Sequence, residues 1–220
     1  MQDNSFFTST LLQWARTIER AMPWKGEKNP YLIWLSEIIL QQTRVEQGTA
    51  YFLRFKENYP SLIDLANAPQ DEVLKLWEGL GYYSRARNLH FTAKYIRDEL
   101  DGVFPSDYGD ILKLKGVGTY TAAAIASFAY DLPYAVVDGN VYRVLSRVFG
   151  IQTAIDSTAG KKEFAALAQA LLDKKKAAIY NQAIMDFGAS QCVPKKPNCS
   201  ECPMKKHCVA HQKDLSLIHI

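Results

Sequence analysis

Apolar residues recur along this chain with the period of an α-helix. Leu11, Ala15, Ile18 and Met22 stand at i, i+4, i+7 and i+11, Leu89, Ala93, Ile96 and Leu100 repeat that spacing, and Val141, Val144, Leu145 and Val148 follow i, i+3, i+4 and i+7. Such spacing lines one face of a helix. Convincing alternation of apolar and polar residues, the mark of a half-buried strand, is missing, so the pattern predicts an all-α protein. Local chemistry marks the boundaries. Asn29-Pro30 opens a helix over 31–45, Pro105-Ser106-Asp107 opens another, and Gly150 follows a helix over 141–149. No internal repeat or low-complexity linker divides the chain. The breaks at Pro23-Trp24 and Asp131-Leu132-Pro133 predict a central helical domain over 24–131, a discontinuous second domain of 1–23 and 132–213, and a tail over 214–220.

Composition narrows the class. With 220 residues, 48% hydrophobic and 22% charged, the chain can bury real cores, which excludes disorder, collagen-like repeats and a bare coiled coil. No apolar run reaches the roughly 18 residues of a membrane span, and residues 1–10 lack the basic and apolar regions of a signal peptide, so the expected compartment is the cytoplasm. The net charge of +3 hides an uneven distribution. Residues 161–213 sum to +6, residues 1–160 to −2, and Asp214 supplies the remaining −1. A basic segment of this kind suits a polyanion, or is a solvated lysine face.

Four motifs carry candidate chemistry. Leu114-Lys115-Gly116-Val117-Gly118-Thr119-Tyr120 is a Gly-x-Gly turn between two helices. Gly116 and Gly118 allow close backbone approach, so amides at the second helix's N-terminus can meet a phosphate, as in a helix-hairpin-helix clamp that holds DNA without reading its sequence. Glu37 lies within Tyr31-Leu32-Ile33-Trp34-Leu35-Ser36-Glu37-Ile38-Ile39-Leu40, apolar on every face. A carboxyl buried without a cation keeps its proton and is a candidate general acid; a structural hydrogen bond is the plainer role. Asp138, in Val137-Asp138-Gly139-Asn140, precedes a helix and reads first as its N-cap, unless Asn140 caps and leaves Asp138 to face a site.

The cysteines form the fourth motif. Cys192, Cys199, Cys202 and Cys208 fall within 17 residues, with none in the preceding 191. A disulfide scaffold would distribute them, so they read as a metal site. Four thiolates suit a tetrahedral zinc or a cubane iron–sulfur cluster; the single CxxC favours iron–sulfur, while His207 leaves a Cys–His zinc site open. The metal would pin a short lysine-bearing loop that has no core of its own. Gln41-Gln42-Thr43-Arg44 and Gly79-Leu80-Gly81-Tyr82-Tyr83-Ser84-Arg85-Ala86-Arg87 flank these motifs, with residues suited to wedging into a base stack or neutralising phosphates.

Taken together, these motifs resemble the helix-hairpin-helix base-excision DNA glycosylases that carry a [4Fe-4S] cluster. The resemblance runs from about Leu11 to Ala210, through Pro23-Trp24, the Glu37 segment, Gly79-Leu80-Gly81-Tyr82-Tyr83, the Gly-Val-Gly turn, Val137-Asp138-Gly139-Asn140-Val141, Asn181-Gln182-Ala183 and the cysteines. It implies a six-helix domain beside an iron–sulfur cluster domain. Within the family the chain is similar to the members that remove adenine. The endonuclease III type carries a Schiff-base lysine where this chain has Tyr120, and lacks an acid matching Glu37; a phenol cannot replace an amine in lyase chemistry.

The resemblance implies a monofunctional glycosylase. It would excise adenine mispaired with 8-oxoguanine or guanine, acting as a monomer on double-stranded DNA. Glu37, Asp138 and Tyr120 would be catalytic, Trp24 and Gln182 would line the adenine pocket, Gln42 and Tyr82 would wedge beside the opposing base, and Gly116, Gly118 and Asn140 would contact DNA. Two other readings stand beside it: an endonuclease III-like pyrimidine glycosylase/lyase, and a metal-stabilised DNA-binding module without catalysis. Members continue into a Nudix-like domain that recognises 8-oxoguanine, whereas about a dozen residues follow Cys208 here, so the resemblance covers the catalytic part.

Overall fold

The computed structural model describes residues 5–215, and among them the fold is all-α. In chain order the helices are α1 (Ser5–Ala15), α2 (Pro30–Leu40), α3 (Val45–Asn58), α4 (Leu62–Asn67), α5 (Gln70–Leu76), α6 (Ser84–Glu99), α7 (Tyr108–Lys113) and α8 (Thr119–Tyr130). They continue with α9 (Gly139–Phe149), α10 (Thr158–Leu171), α11 (Ala177–Asp186), a π-helical turn (Phe187–Gln191) and α12 (Val209–Gln212). Two compact units divide the chain: Ala21–Tyr130, and Met1–Arg20 with Asp131–Ile220. Of the expected tail, residues 216–220 lie outside the described residues.

In the Ala21–Tyr130 unit, α2 is the central helix. Every side chain from Tyr31 to Ile39 is buried, against α3, α6 and α8, which is why the segment has no polar face. Asn29 Oδ1 accepts from Tyr31 N at 3.0 Å and Pro30 occupies the first turn, as the sequence predicts. The helix ends at Leu40, short of residue 45. Gln42 turns into the left-handed region (φ 56°), and Arg85 takes the carbonyls of Ile38, Ile39 and Gln41, which a helix end leaves without internal partners. Trp77 packs edge-on to Phe55 at 5.7 Å, both fully buried, and each ring of this kind contributes about 1.5–3 kcal/mol by leaving water. The small residues of α8 are buried from Thr121 to Ser127 and let it approach α2 closely.

The other unit begins with α1, which buries Phe7 and Leu11 and packs on α10 and α11. This helix lies earlier than the Leu11-to-Met22 spacing predicts. Thr17 Oγ1 donates to the Trp14 carbonyl at 2.7 Å and closes the helix, after which Arg20 turns to pair with Asp186 at 2.7 Å. Helix α9 buries Val141, Val144, Leu145 and Val148 as its period predicts, and ends at Gly150 (φ 70°). A Cβ at Gly150 would stand 2.6 Å from Val209 Cγ1, so both backbone and packing require glycine there. Helix α11 passes directly into the π-turn, where Cys192 N donates to the Phe187 carbonyl at 2.8 Å.

Candidate active site

Glu37 is buried on α2, 8% exposed, one turn from Ile33 and Leu40. Tyr120 is half-buried in the first turn of α8, and α2 packs on α8, so the two stand on contacting helices of one unit. Asp138 belongs to the other unit, where it caps α9. Its Oδ1 accepts from Val141 N at 2.8 Å and its Oδ2 from Asn140 Nδ2 at 2.8 Å. Capping therefore falls to Asp138 and not to Asn140, yet the cap leaves it half-buried, with both oxygens accepting hydrogen bonds. Asn140 is fixed in turn: Arg143 Nη2 donates to its Oδ1 at 2.8 Å, and a Cβ on Gly188 would stand 2.6 Å from its Cβ.

Trp24 and Gln182 sit in different units. Trp24 is a half-buried turn residue packed edge-on to Phe52 at 5.4 Å. Gln182 lies on α11, with its amide nitrogen 3.1 Å from Asp186 Oδ1.

Gln42 and Tyr82 are both non-glycine residues in the left-handed region, at φ 56° and φ 47°. Such conformations cost about 1–2 kcal/mol each and persist where the surroundings enforce them. Tyr82 is 66% exposed, an unusual surface position for a large ring. Its turn is tied down by Trp77 Nε1 donating to the Gly81 carbonyl at 3.0 Å, Gln47 Nε2 to the Gly79 carbonyl at 3.3 Å, and the Tyr51 hydroxyl to the Glu78 carbonyl at 2.5 Å. Arg85, expected among residues that neutralise phosphate, instead points inward to backbone carbonyls of both turns.

The Gly-x-Gly motif joins α7 to α8 as an exposed turn. Gly116 adopts φ 84°, and a Cβ there would stand 2.9 Å from Asn88 Cβ, while Thr92 Oγ1 donates to the Lys115 carbonyl at 2.9 Å. Helix α6 thus grips the hairpin. Gly118 faces open space and its carbonyl accepts from Ala122 N at 2.9 Å, so α8 begins at a residue with no side chain to cover its first amides.

All four cysteines are free thiols and line one cavity, together with Arg147, Lys205 and His211. His207 is not among the lining residues; its ring stacks on Phe6 at 4.4 Å. Among the described residues no three Cys, His, Asp or Glu side chains converge as ligands of a single metal ion. Four thiols around one cavity are a donor set that fits a thiolate-held metal group. Burial pushes the Cys202 thiol up to about 11 and also raises Cys208, so an apolar pocket by itself disfavours the thiolates and a cationic metal group would offset that penalty. Two arginines of α9 hold the loop: Arg143 Nε donates to the Cys192 carbonyl at 2.8 Å, and Arg147, 4% exposed, reaches the Val193 and Pro194 carbonyls at 2.7 and 2.9 Å.

The family model of the HhH-GPD superfamily base excision DNA repair proteins matches residues 35–174, from the α2 carboxyl through the hairpin and Asp138 into α10 and beyond. The chain belongs to the HhH-GPD superfamily. The adenine DNA glycosylase of Mus musculus is 42% identical over 220 residues, covering 96% of this chain and 43% of its own length. That of Buchnera aphidicola subsp. Baizongia pistaciae is 39% identical over 206 residues, covering 93% and 58%. The chain therefore spans about half the length of the curated relatives it matches. A solved thermostable thymine-DNA glycosylase superposes with a TM-score of 0.88 at 32% identity, over 96% of this chain and 97% of that one.

Some parts of this HhH-GPD site escaped sequence reasoning. The inward direction of Arg85, the roles of Arg143 and Arg147 and the cavity-lining His211 have no counterpart in the sequence reading. Arg143 and Arg147 are spaced i, i+4 on an otherwise apolar-faced helix, a signal that two cations share one task there.

Proposed function

We propose that this chain is the catalytic region of a monofunctional DNA glycosylase that excises adenine mispaired with 8-oxoguanine or guanine. The observation that carries the reading is the contrast between two carboxyls: Glu37 is buried on an apolar helix, whereas Asp138 is half-buried at a helix N-terminus and accepts two hydrogen bonds. With adenine flipped from the duplex, Glu37 protonates N7 and the base leaves with the bonding electrons; Asp138 stabilises the oxocarbenium-like sugar, which water then captures with loss of a proton to solvent. Tyr120 supplies no amine, so no Schiff base forms and the strand is left intact. Trp24 and Gln182 are the residues assigned to the adenine, Gln42 and Tyr82 wedge at the opposing base, and Gly116, Gly118 and Asn140 hold the DNA.

In this reading Ala21–Tyr130 is the helix-hairpin-helix domain and the other unit the cluster domain. Cys192, Cys199, Cys202 and Cys208 hold a [4Fe-4S] cluster, whose role is to pin the loop that presents Lys195, Lys196, Lys205 and Lys206 to phosphates. The described helices include none long and apolar enough to cross a membrane.

The test is single-turnover reaction on duplexes carrying A opposite 8-oxoG, A opposite G, T opposite G and A opposite T, with and without hot alkali. Breaks at the two mispaired adenines, seen only after alkali, are expected. A Glu37→Gln variant should lose about 10²–10⁴ in rate yet still bind duplex, as removal of a general acid does. Release of T opposite G would instead favour a thymine glycosylase, a second reading suggested by the 32% identity to the thermostable thymine-DNA glycosylase. Breaks without alkali would favour a lyase.

A further inference from the structure

We propose that Arg85 is a positioning residue that locks the Gln42 and Tyr82 turns together, so that the two wedges enter the duplex as one rigid edge. This rests on the wedge roles given above. The guanidinium spans both turns: Nη1 meets the carbonyls of Ile38 and Ile39 at 3.1 Å, the carbonyl of Gln41 and the Thr43 hydroxyl at 3.5 Å, while Nη2 meets the carbonyls of Leu80 at 3.2 Å and Gly81 at 3.3 Å. Its plane also packs over Trp77 at 5.1 Å and Tyr82 at 5.7 Å from the ring centroids. A planar fork can satisfy acceptors on two segments at once, which an ammonium cannot.

Three physical features argue that this placement serves the turns and not α6. Arg85 lies in the first turn of α6, where a cation opposes the helix dipole. It sits instead at the C-terminus of α2, where a cation is favourable and the last carbonyls need donors. Moreover, Gln42 and Tyr82, two of the six non-glycine residues in the left-handed region among the described residues, lie in the segments it joins. A strained conformation exposed to solvent persists only if its neighbours enforce it, and Arg85 is the group common to both. Arg87, two residues on, is exposed and remains the cation of this segment that can meet a phosphate.

The test uses the full chain, with 2-aminopurine replacing the mispaired adenine opposite G, so that unstacking is read as fluorescence. For Arg85→Met, extrusion and single-turnover excision should both fall by at least about tenfold, because small displacements of positioning groups have large effects. Affinity for fully paired duplex should stay within about threefold, since no phosphate contact is removed. Arg85→Lys keeps charge and stem without the fork; it should show most of the same loss, and it carries the test alone if the Met variant fails to fold. Wild-type extrusion by either variant, full rescue by Lys, or an equal loss of paired-duplex affinity would overturn the proposal. Should the wild-type protein itself release adenine from no mispair, the functional reading fails instead.

Discussion

The turns at the end of α2 and before α6, and the loop from Cys192 to Cys208, use the same device in different surroundings. Both are irregular segments whose carbonyls are held by guanidiniums, Arg85 in one and Arg143 with Arg147 in the other. The turns, however, rest on packed apolar helices with Trp77 and Phe55 fully buried beneath. The cysteine loop surrounds a cavity and has only Met204 fully buried between Cys192 and Cys208. Hydrogen bonds can fix the shape of a segment that a core already supports. Where no core exists, the segment's stability depends on what its thiols hold.

The largest effect should therefore come from the thiols. Cys202→Ser should abolish cluster retention and strip hydrogen-exchange protection from residues 187–213, while Ala21–Tyr130 keeps its protection; loss throughout both units would erase the contrast. Next, Asp138→Asn should lower excision by about 10²–10³-fold, the scale of removing one electrostatic stabiliser. Its effect on thermal stability should stay below about 0.5 kcal/mol, because Asn caps a helix as well as Asp, whereas Asp138→Ala should lose about 1 kcal/mol more. Equal melting shifts for the two variants would count against the separation of cap from chemistry.

Gly116→Ala probes the self-supported region. The added Cβ meets Asn88 at 2.9 Å in a left-handed backbone, so a loss of about 1–3 kcal/mol is expected in chemical denaturation, with weaker duplex binding. The smallest effect should be one of pH. His90, with Nε2 2.9 Å from the Ala68 carbonyl, is held below its ordinary value of 6.5 mainly by burial, with Lys94 adding to the shift. Its folded form resists protonation more than the unfolded chain does. The stability it carries is complete above 6.5 and is lost as pH falls from there toward its lower folded value. A His90→Gln variant should flatten the melting temperature between pH 7 and about pH 5, and an unchanged slope would remove His90 as the cause.

Much of this was readable one residue at a time. The periods around Leu89 and Val141, the caps at Asn29 and Asp107, the stop at Gly150 and the burial of Glu37 all depend on neighbours within a turn or two. Spacing likewise set the four cysteines apart as a group, and they line one cavity.

What the tertiary structure decided was where periodic segments stop and what the long cations touch. Helix α1 ends at Ala15 although its apolar spacing continues to Met22, and α2 ends at Leu40 and not at residue 45. The hairpin grip from Asn88 and Thr92, and the turn of Arg85 away from solvent, join residues more than twenty positions apart. Periodicity records only which face of a segment avoids water. The partner of a guanidinium or a helix-end carbonyl is fixed by whichever unsatisfied group packing brings within 3 Å or so, and that is a property of the assembled chain.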